Sequence, residues 1–197
     1  MSRLPYLTPA ELNDRQQEVY AAITSGPRAN PQRPGGGLAR EDGALVGPFN
    51  AMLHAPEVGN LVQQLGAALR YQNSVPRHLI ELAIIVTARE WSAQFEWWAH
   101  ARMAGEAGID ASIIAAVEAR ETPEFTNSDE ATVYRFCREL LDTRRVRDET
   151  YAALESVVGA QGIVELTALQ GYYGLISMLL NVVQVPLPEG VEEPLTL

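Results

Sequence analysis

RHLIELAIIVTAREWSAQFEWWAHARMAGEAG, residues 77–108, is the stretch whose reading decides the fold. It holds two apolar helical patterns back to back, broken at Glu90-Trp91-Ser92. Three ionisable residues sit inside those patterns: Glu81 in the first, Glu96 and His100 in the second. Glu81 lies nine or ten residues before the break and His100 nine or ten after it. An α-helix rises about 1.5 Å per residue, so an antiparallel hairpin brings both to one height. Glu96 precedes His100 by four residues and shares its helix face. The spacing predicts that the three converge on one pocket.

The neighbours of these residues are apolar. Leu82, Ile84, Ile85 and Val86 flank Glu81, and Phe95, Trp97, Trp98 and Ala99 flank the other two. Carboxylates in such surroundings lose hydration, so their pKa values are expected to rise. An imidazole beside them would exchange protons near neutral pH. Such a pocket suits proton transfer, or loss of a carboxylate from a desolvated substrate. The plainer alternative is a hydrogen-bonded core histidine with a helical i,i+4 partner. His54 and His78 are given structural or solvent-facing roles. Two glutamates and a histidine could also hold a divalent cation. A di-iron bundle needs Glu-x-x-His twice, however, and neither that nor HExxH occurs. No metal is expected.

The rest of the composition narrows the chemistry further. All 15 basic residues are arginine. Without lysine there is no Walker A loop and no Schiff-base enzyme. A net charge of -10 disfavours phosphate backbones, so nucleic acid is not an expected partner. Cys137 is the one cysteine, which excludes an intrachain disulfide, a CxxC pair and a cysteine-rich zinc site. The opening MSRLPYLTPAEL lacks the apolar core of a secretory signal. Residues 171–183, the most apolar late segment, are too short to span a bilayer. The expectation is a cytoplasmic protein with no membrane partner.

No segment alternates with period two, so the class is all-α. A helix is expected from Thr8, where Thr8-Pro9-Ala10-Glu11 forms a capping box, with Leu12, Val19 and Ile23 as its stripe. Residues 26–47 are rich in Gly, Pro and Arg and read as a loop, with a lid as one role for it. A short helix over 48–54 is followed by one over 56–71, with Val58, Leu61, Leu65, Ala68 and Leu69 on one side. Ser74 or its neighbour caps the first hairpin helix. The second runs over 92–108, and Asp110 caps a helix to about 120. Ser128 caps one to about 145, and Asp148 caps one to 158. A hinge at 159–162 then leads to a long helix over 163–183, apolar nearly all round, and a loose tail. The organisation is an N-terminal helix and loop (1–47), a helical domain (48–188) and a tail (189–197).

PRHLIELAIIVTARE (76–90) and AQFEWWAHARMAGEAGI (93–109) together resemble the carboxymuconolactone decarboxylase family, within the AhpD-like fold. ATVYRFCRELLDTRRV (131–146) and VELTALQGYYGLISMLLNVVQVPL (164–187) extend the resemblance over about residues 47–188. It implies an AhpD-like bundle around a central antiparallel helix hairpin, assembled as a homo-oligomer, trimer or hexamer. It implies no metal or organic cofactor. The family's peroxidase branch carries CxxC, then a histidine four residues on, with a glutamate on the preceding helix. Those positions fall on Ala93, Glu96, His100 and Glu81, so both thiols are missing and dithiol peroxide reduction is excluded. The decarboxylase branch lacks the cysteines and keeps glutamates and a histidine here. It implies loss of CO2 from a small carboxylated lactone or carbonyl compound in aromatic catabolism. His100 would be proton donor or oxyanion partner, Glu81 would orient it, and Glu96 would be a second acid/base. Arg77 or Arg102 could hold a substrate carboxylate, with Trp97 beside the substrate. Two alternatives stand beside this reading. One is a non-catalytic, small-ligand-binding oligomer. The other is a peroxidase-like member by name only, since CxxC is absent.

Overall fold

A computed structural model describes residues 2–26, 28–29 and 37–196. The lid assigned to residues 26–47 falls partly outside them, at 27 and 30–36. Among the described residues there are eight α-helices and no strand, in keeping with the all-α class. A 3-10 turn (Pro9–Glu11) precedes α1 (Asp14–Ser25), α2 (Pro48–Leu53), α3 (Pro56–Tyr71) and α4 (Arg77–Glu90). Then come α5 (Gln94–Glu106), α6 (Ala111–Glu118), α7 (Ser128–Thr143) and α8 (Asp148–Val183).

The axis of the fold is α4, in which every residue from 79 to 89 is buried. Its apolar residues continue round the whole circumference, so it must be covered on all sides. Helices α5, α7 and α8 supply most of that cover. The hairpin break falls where the spacing put it. Ser92 takes a left-handed backbone (φ 45°), so α5 starts at Gln94, two residues later than expected. Arg89 clamps the corner, donating to Ser92 Oγ (2.8 Å), the Glu118 carbonyl (2.7 Å) and the Thr196 carbonyl (3.1 Å).

Several boundaries differ from expectation because a second cap competes. Thr8 and Glu11 form their box, but Asn13 re-caps four residues before α1 is one turn old, accepting from Gln16 N at 2.9 Å. One helix therefore becomes a 3-10 turn plus α1. Ser74 caps nothing in α4. Its N–H and hydroxyl both donate to Glu165 on α8 instead (2.8 and 2.7 Å). Asn127, not Ser128, caps α7, and Arg147 rather than Asp148 holds the cap position of α8. The expected hinge is present at its first residue: Gly159 (φ 69°, ψ 176°) is not helical and divides α8 into two helical segments. At 36 residues α8 is long and apolar enough to cross a membrane, although half of its most apolar window is buried in the protein. The tail is not loose at its end. Leu195 is buried, and its backbone exchanges two hydrogen bonds with the Gln94 side chain.

The largest departure is α3, where three of the five stripe residues, Val58, Leu61 and Leu65, face outward (62, 69 and 47 % exposed) and only Leu69 is buried as expected. Gly59, Gln63 and Gly66 face inward, followed along the same row by Arg70. The glycines explain the choice, because they permit close approach. A Cβ on Gly59 would lie 2.1 Å from the Met52 carbonyl oxygen of α2. Gly59→Ala should therefore cost about 1–3 kcal/mol as an overpacked contact. At about 2–4 °C per kcal/mol for a chain of this size, a thermal melt will register it. An unshifted melt would mean that α2 and α3 do not pack this closely.

Candidate active site

The hairpin brings Glu81, His100 and Glu96 together. Nδ1 of His100 lies 2.7 Å from Glu81 Oε2, and Nε2 lies 3.1 Å from Glu96 Oε1. Arg70, from the last turn of α3, extends the row with Nη2 3.3 Å from Glu81 Oε1 and 3.3 Å from Met103 Sδ. The result is a buried chain of alternating charge: Arg70, Glu81, His100, Glu96. Tyr173 of α8 packs edge-on against the imidazole, ring centres 5.1 Å apart. The two glutamates flank opposite ring nitrogens, which is the geometry of a proton relay and not of shared ligation of one ion. Among the described residues no cluster of three or more His, Cys, Asp or Glu is arranged to hold a metal.

The electrostatics follow from this order. Burial pushes Glu81 upward, but the His100 charge and hydrogen bond, then Arg70 and Arg77, hold its carboxyl below the ordinary 4.5. The rise expected for a carboxylate in apolar surroundings is thus reversed by its partners. Burial pushes His100 downward, but Glu81, with hydrogen bonds to both glutamates, raises it above 6.5. The two flanking carboxylates thus favour the imidazolium over the neutral ring.

These shifts have a sign in stability. The Glu81 contribution is present above about pH 4.5 and is lost as pH falls through its lowered folded value. The His100 contribution is complete below about pH 6.5 and is lost as pH rises through its raised folded value. The stability advantage of the native chain over His100→Gln should thus be greatest between those limits and shrink on the alkaline side. Urea melts of both proteins across pH will measure the gap. An advantage that grows with pH would show a neutral imidazole.

A cavity of about 50 Å³ lies against this relay. Glu96 and His100 line it, while Glu81 stands behind the imidazole. Arg28, Arg70, Tyr172 and Tyr173 line it as well, with Phe49 and Phe95 as apolar walls. None of those four polar residues was legible as a site residue. Arg28 stands outside any helix, and Arg70 lies on the helix whose orientation hydropathy inverts. The double tyrosine on an apolar helix read as core. Tyr172 is pushed up to about 12 by burial, and Tyr173 well above 10 for the same reason, so both stay protonated hydroxyls at neutral pH.

The three expected substrate contacts fall elsewhere. Arg77 is exposed at the start of α4 and reaches the site only through its charge on Glu81. Trp97 is fully buried in the core, off the cavity. Arg102 is exposed, 3.9 Å from Glu106 and over the Trp98 ring. Of the other histidines, His54 contacts the Pro5 carbonyl (2.9 Å), and neither it nor His78 lines the cavity. Cys137 is completely buried in α7, and burial drives its thiol pKa sharply upward. A cleft of about 1110 Å³ between α4, α6 and α7 is far larger than the cavity but is lined by no histidine. Its Arg138 and Arg147 are paired with Glu90 (3.0 Å) and Glu139 (2.7 Å). The imidazole and its flanking carboxylate belong to the small cavity.

An all-helical bundle built on this central hairpin defines the AhpD-like fold, here in a form without a CxxC pair. The chain resembles the alkylhydroperoxidase AhpD core of an uncharacterized peroxidase-related protein from Ralstonia eutropha JMP134. The two share 14 % identity with a TM-score of 0.73, over 95 % of this chain and 93 % of that one. A cysteine-to-alanine form of the debrominase Bmp8, in complex with 2,3,4-tribromopyrrole, matches at 12 % identity and a TM-score of 0.69, over 96 % and 95 %. An uncharacterized peroxidase-related protein from Silicibacter sp. TM1040 matches at 12 % and 0.69, over 94 % and 91 %. No family model matches the sequence, and no curated protein matches it either.

Proposed function

We propose that the chain is a cofactor-independent lyase of the carboxymuconolactone decarboxylase type, acting on a small carboxylated lactone or carbonyl compound. The observation that carries this reading is an imidazole clamped between two carboxylates at the wall of a small cavity. In the reaction the bond from the substrate carbon to its carboxylate breaks and CO2 leaves. The electron pair spreads into the lactone carbonyl as a dienolate. Glu96 takes the Nε2 proton of His100 and delivers it to carbon, and the relay recovers a proton from solvent. Glu81, with Arg70 behind it, keeps the imidazole oriented and cationic. The Tyr172 and Tyr173 hydroxyls, which stay protonated, are suited to meet the enolate oxygen.

The chain would work as an assembly of copies. Val58, Leu61 and Leu65 on α3, and Val164, Leu175, Met178 and Val182 on α8, are large apolar side chains left exposed in the single chain. Among the fold's neighbours are a debrominase and peroxidase-related proteins, so the fold itself does not choose the reaction. A dithiol route is closed here by the residues themselves. The direct test is CO2 release from carboxymuconolactone by the purified protein. Absence of turnover would overturn the decarboxylase reading, and hydroperoxide reduction abolished by Cys137→Ser would overturn the exclusion of thiol chemistry.

A further inference from the structure

The cleft between α4, α6 and α7, about 1110 Å³, takes no part in the relay, and it has room for a small organic molecule. Its floor is apolar. Val86 and Val117 are buried beneath it, and Phe125 and Tyr134 wall it with ring centres 5.3 Å apart, tilted at 47°. Its rim is basic. Six arginines line it, against the carboxylates of Glu121, Glu139 and Asp142. The excess is positive on a chain whose net charge is -10. Glu90 pairs with Arg120 (3.8 Å) and Arg138 (3.0 Å), and even with it the arginines outnumber the acids. Arg147 is taken by Glu139 at 2.7 Å. Arg135 and Arg145 are exposed and have no acidic partner among the described residues. Arg135 stands one helical turn before Arg138, on the α7 face that edges the cleft. Arg144, left-handed at φ 64°, ends α7 and returns Arg145 to the same cleft.

We propose that this cleft is a second binding site, for an aryl carboxylate. The flat apolar body lies against Phe125 and Tyr134, over the valine floor. Its carboxylate takes the planar forks of Arg135 and Arg145, which no acid of the described chain occupies. The surrounding arginines concentrate the field on an incoming anion, on a chain that otherwise repels anions. An inorganic anion would use the arginines and leave the apolar floor wet. A neutral aryl compound would use the floor and leave the forks empty. None of Glu81, Glu96 and His100 lines the cleft, so the site stands whether or not the chain is a lyase.

The probe is 2-naphthoate, which carries both features, with 2-naphthamide as its neutral counterpart. Calorimetric titration of the native chain should show naphthoate binding at least about tenfold more tightly than the amide, the effect of one charge-assisted pair. The double variant Arg135→Gln/Arg145→Gln should erase that preference, and both positions are exposed, so its fold should be unaffected. Arg102→Gln, on α5 and outside the cleft, should keep the preference. Phe125→Ala should weaken acid and amide alike. Equal binding of acid and amide by the native chain overturns the proposal, and that comparison needs no variant to fold. So does a double variant that retains the preference, which would put the anion elsewhere. Cyclohexanecarboxylate bound by the native chain as tightly as benzoate overturns the aryl class. If the native chain binds no naphthoate and the double variant lowers the mass seen in light scattering, the cleft is a contact between copies and the proposal falls.

Discussion

In Glu96→Gln, turnover of carboxymuconolactone should fall by about 10²–10⁴-fold, the range that one positioned acid/base group supplies. Glu96 is the carboxylate at the cavity wall, 3.1 Å from His100 Nε2, and in the proposed mechanism it passes that proton to substrate. The amide keeps shape and a carbonyl acceptor but cannot carry that proton. His100→Ala should fall into the same range, and the double variant should lose little more than either alone, because residues acting as one relay are strongly non-additive. The loss should appear in kcat with KM nearly unchanged, since the rest of the cavity lining is left intact. A Glu96→Gln protein with native kcat would move the proton donor elsewhere, and the Tyr172 and Tyr173 hydroxyls would be next to examine.

Glu81→Leu should carry the largest cost in stability. The carboxylate lies between Arg70 at 3.3 Å and His100 at 2.7 Å, with 2 % of its side chain exposed. Removing it leaves two cationic partners facing one another in the interior. Breaking a buried ion pair in this way costs about 3–5 kcal/mol. At about 2–4 °C per kcal/mol, the melting temperature should drop by roughly 6–20 °C. Part of the cost will be relieved as His100 releases its proton, so the deficit should narrow as pH rises. Glu81→Gln, which still accepts a hydrogen bond, should fall between the two. A Leu variant as stable as the native protein would mean that the relay is not ionic.

The relay was legible because its geometry is local. Glu96 and His100 are fixed by one helical turn, and Glu81 by two nearly equal distances from one break. Arg28, Arg70, Tyr172 and Tyr173 reach the cavity from separate elements, and their convergence depends on how α3 and α8 dock. Hydropathy misplaced α3 because its contacts are set by what glycine omits. Gly59 and Gly66 bring the backbone against Met52 and Tyr172, and Gln63 and Arg70 then find partners inside. An amphipathic count weighs side chains and cannot weigh a missing one. The direction of the Glu81 shift was missed for a related reason. Burial is visible along the sequence, whereas a compensating arginine from another helix is not.

Cys137 has a consequence for handling and for circumstance. The chain's only sulfhydryl is sealed in α7 and held protonated. Alkylating reagents and mild oxidants act on the accessible thiolate, so native protein should pass through both unmarked. A reaction carried by carboxylates and an imidazole would then run at the same rate in reducing and in oxidising surroundings, where a thiol enzyme of similar shape would be switched off.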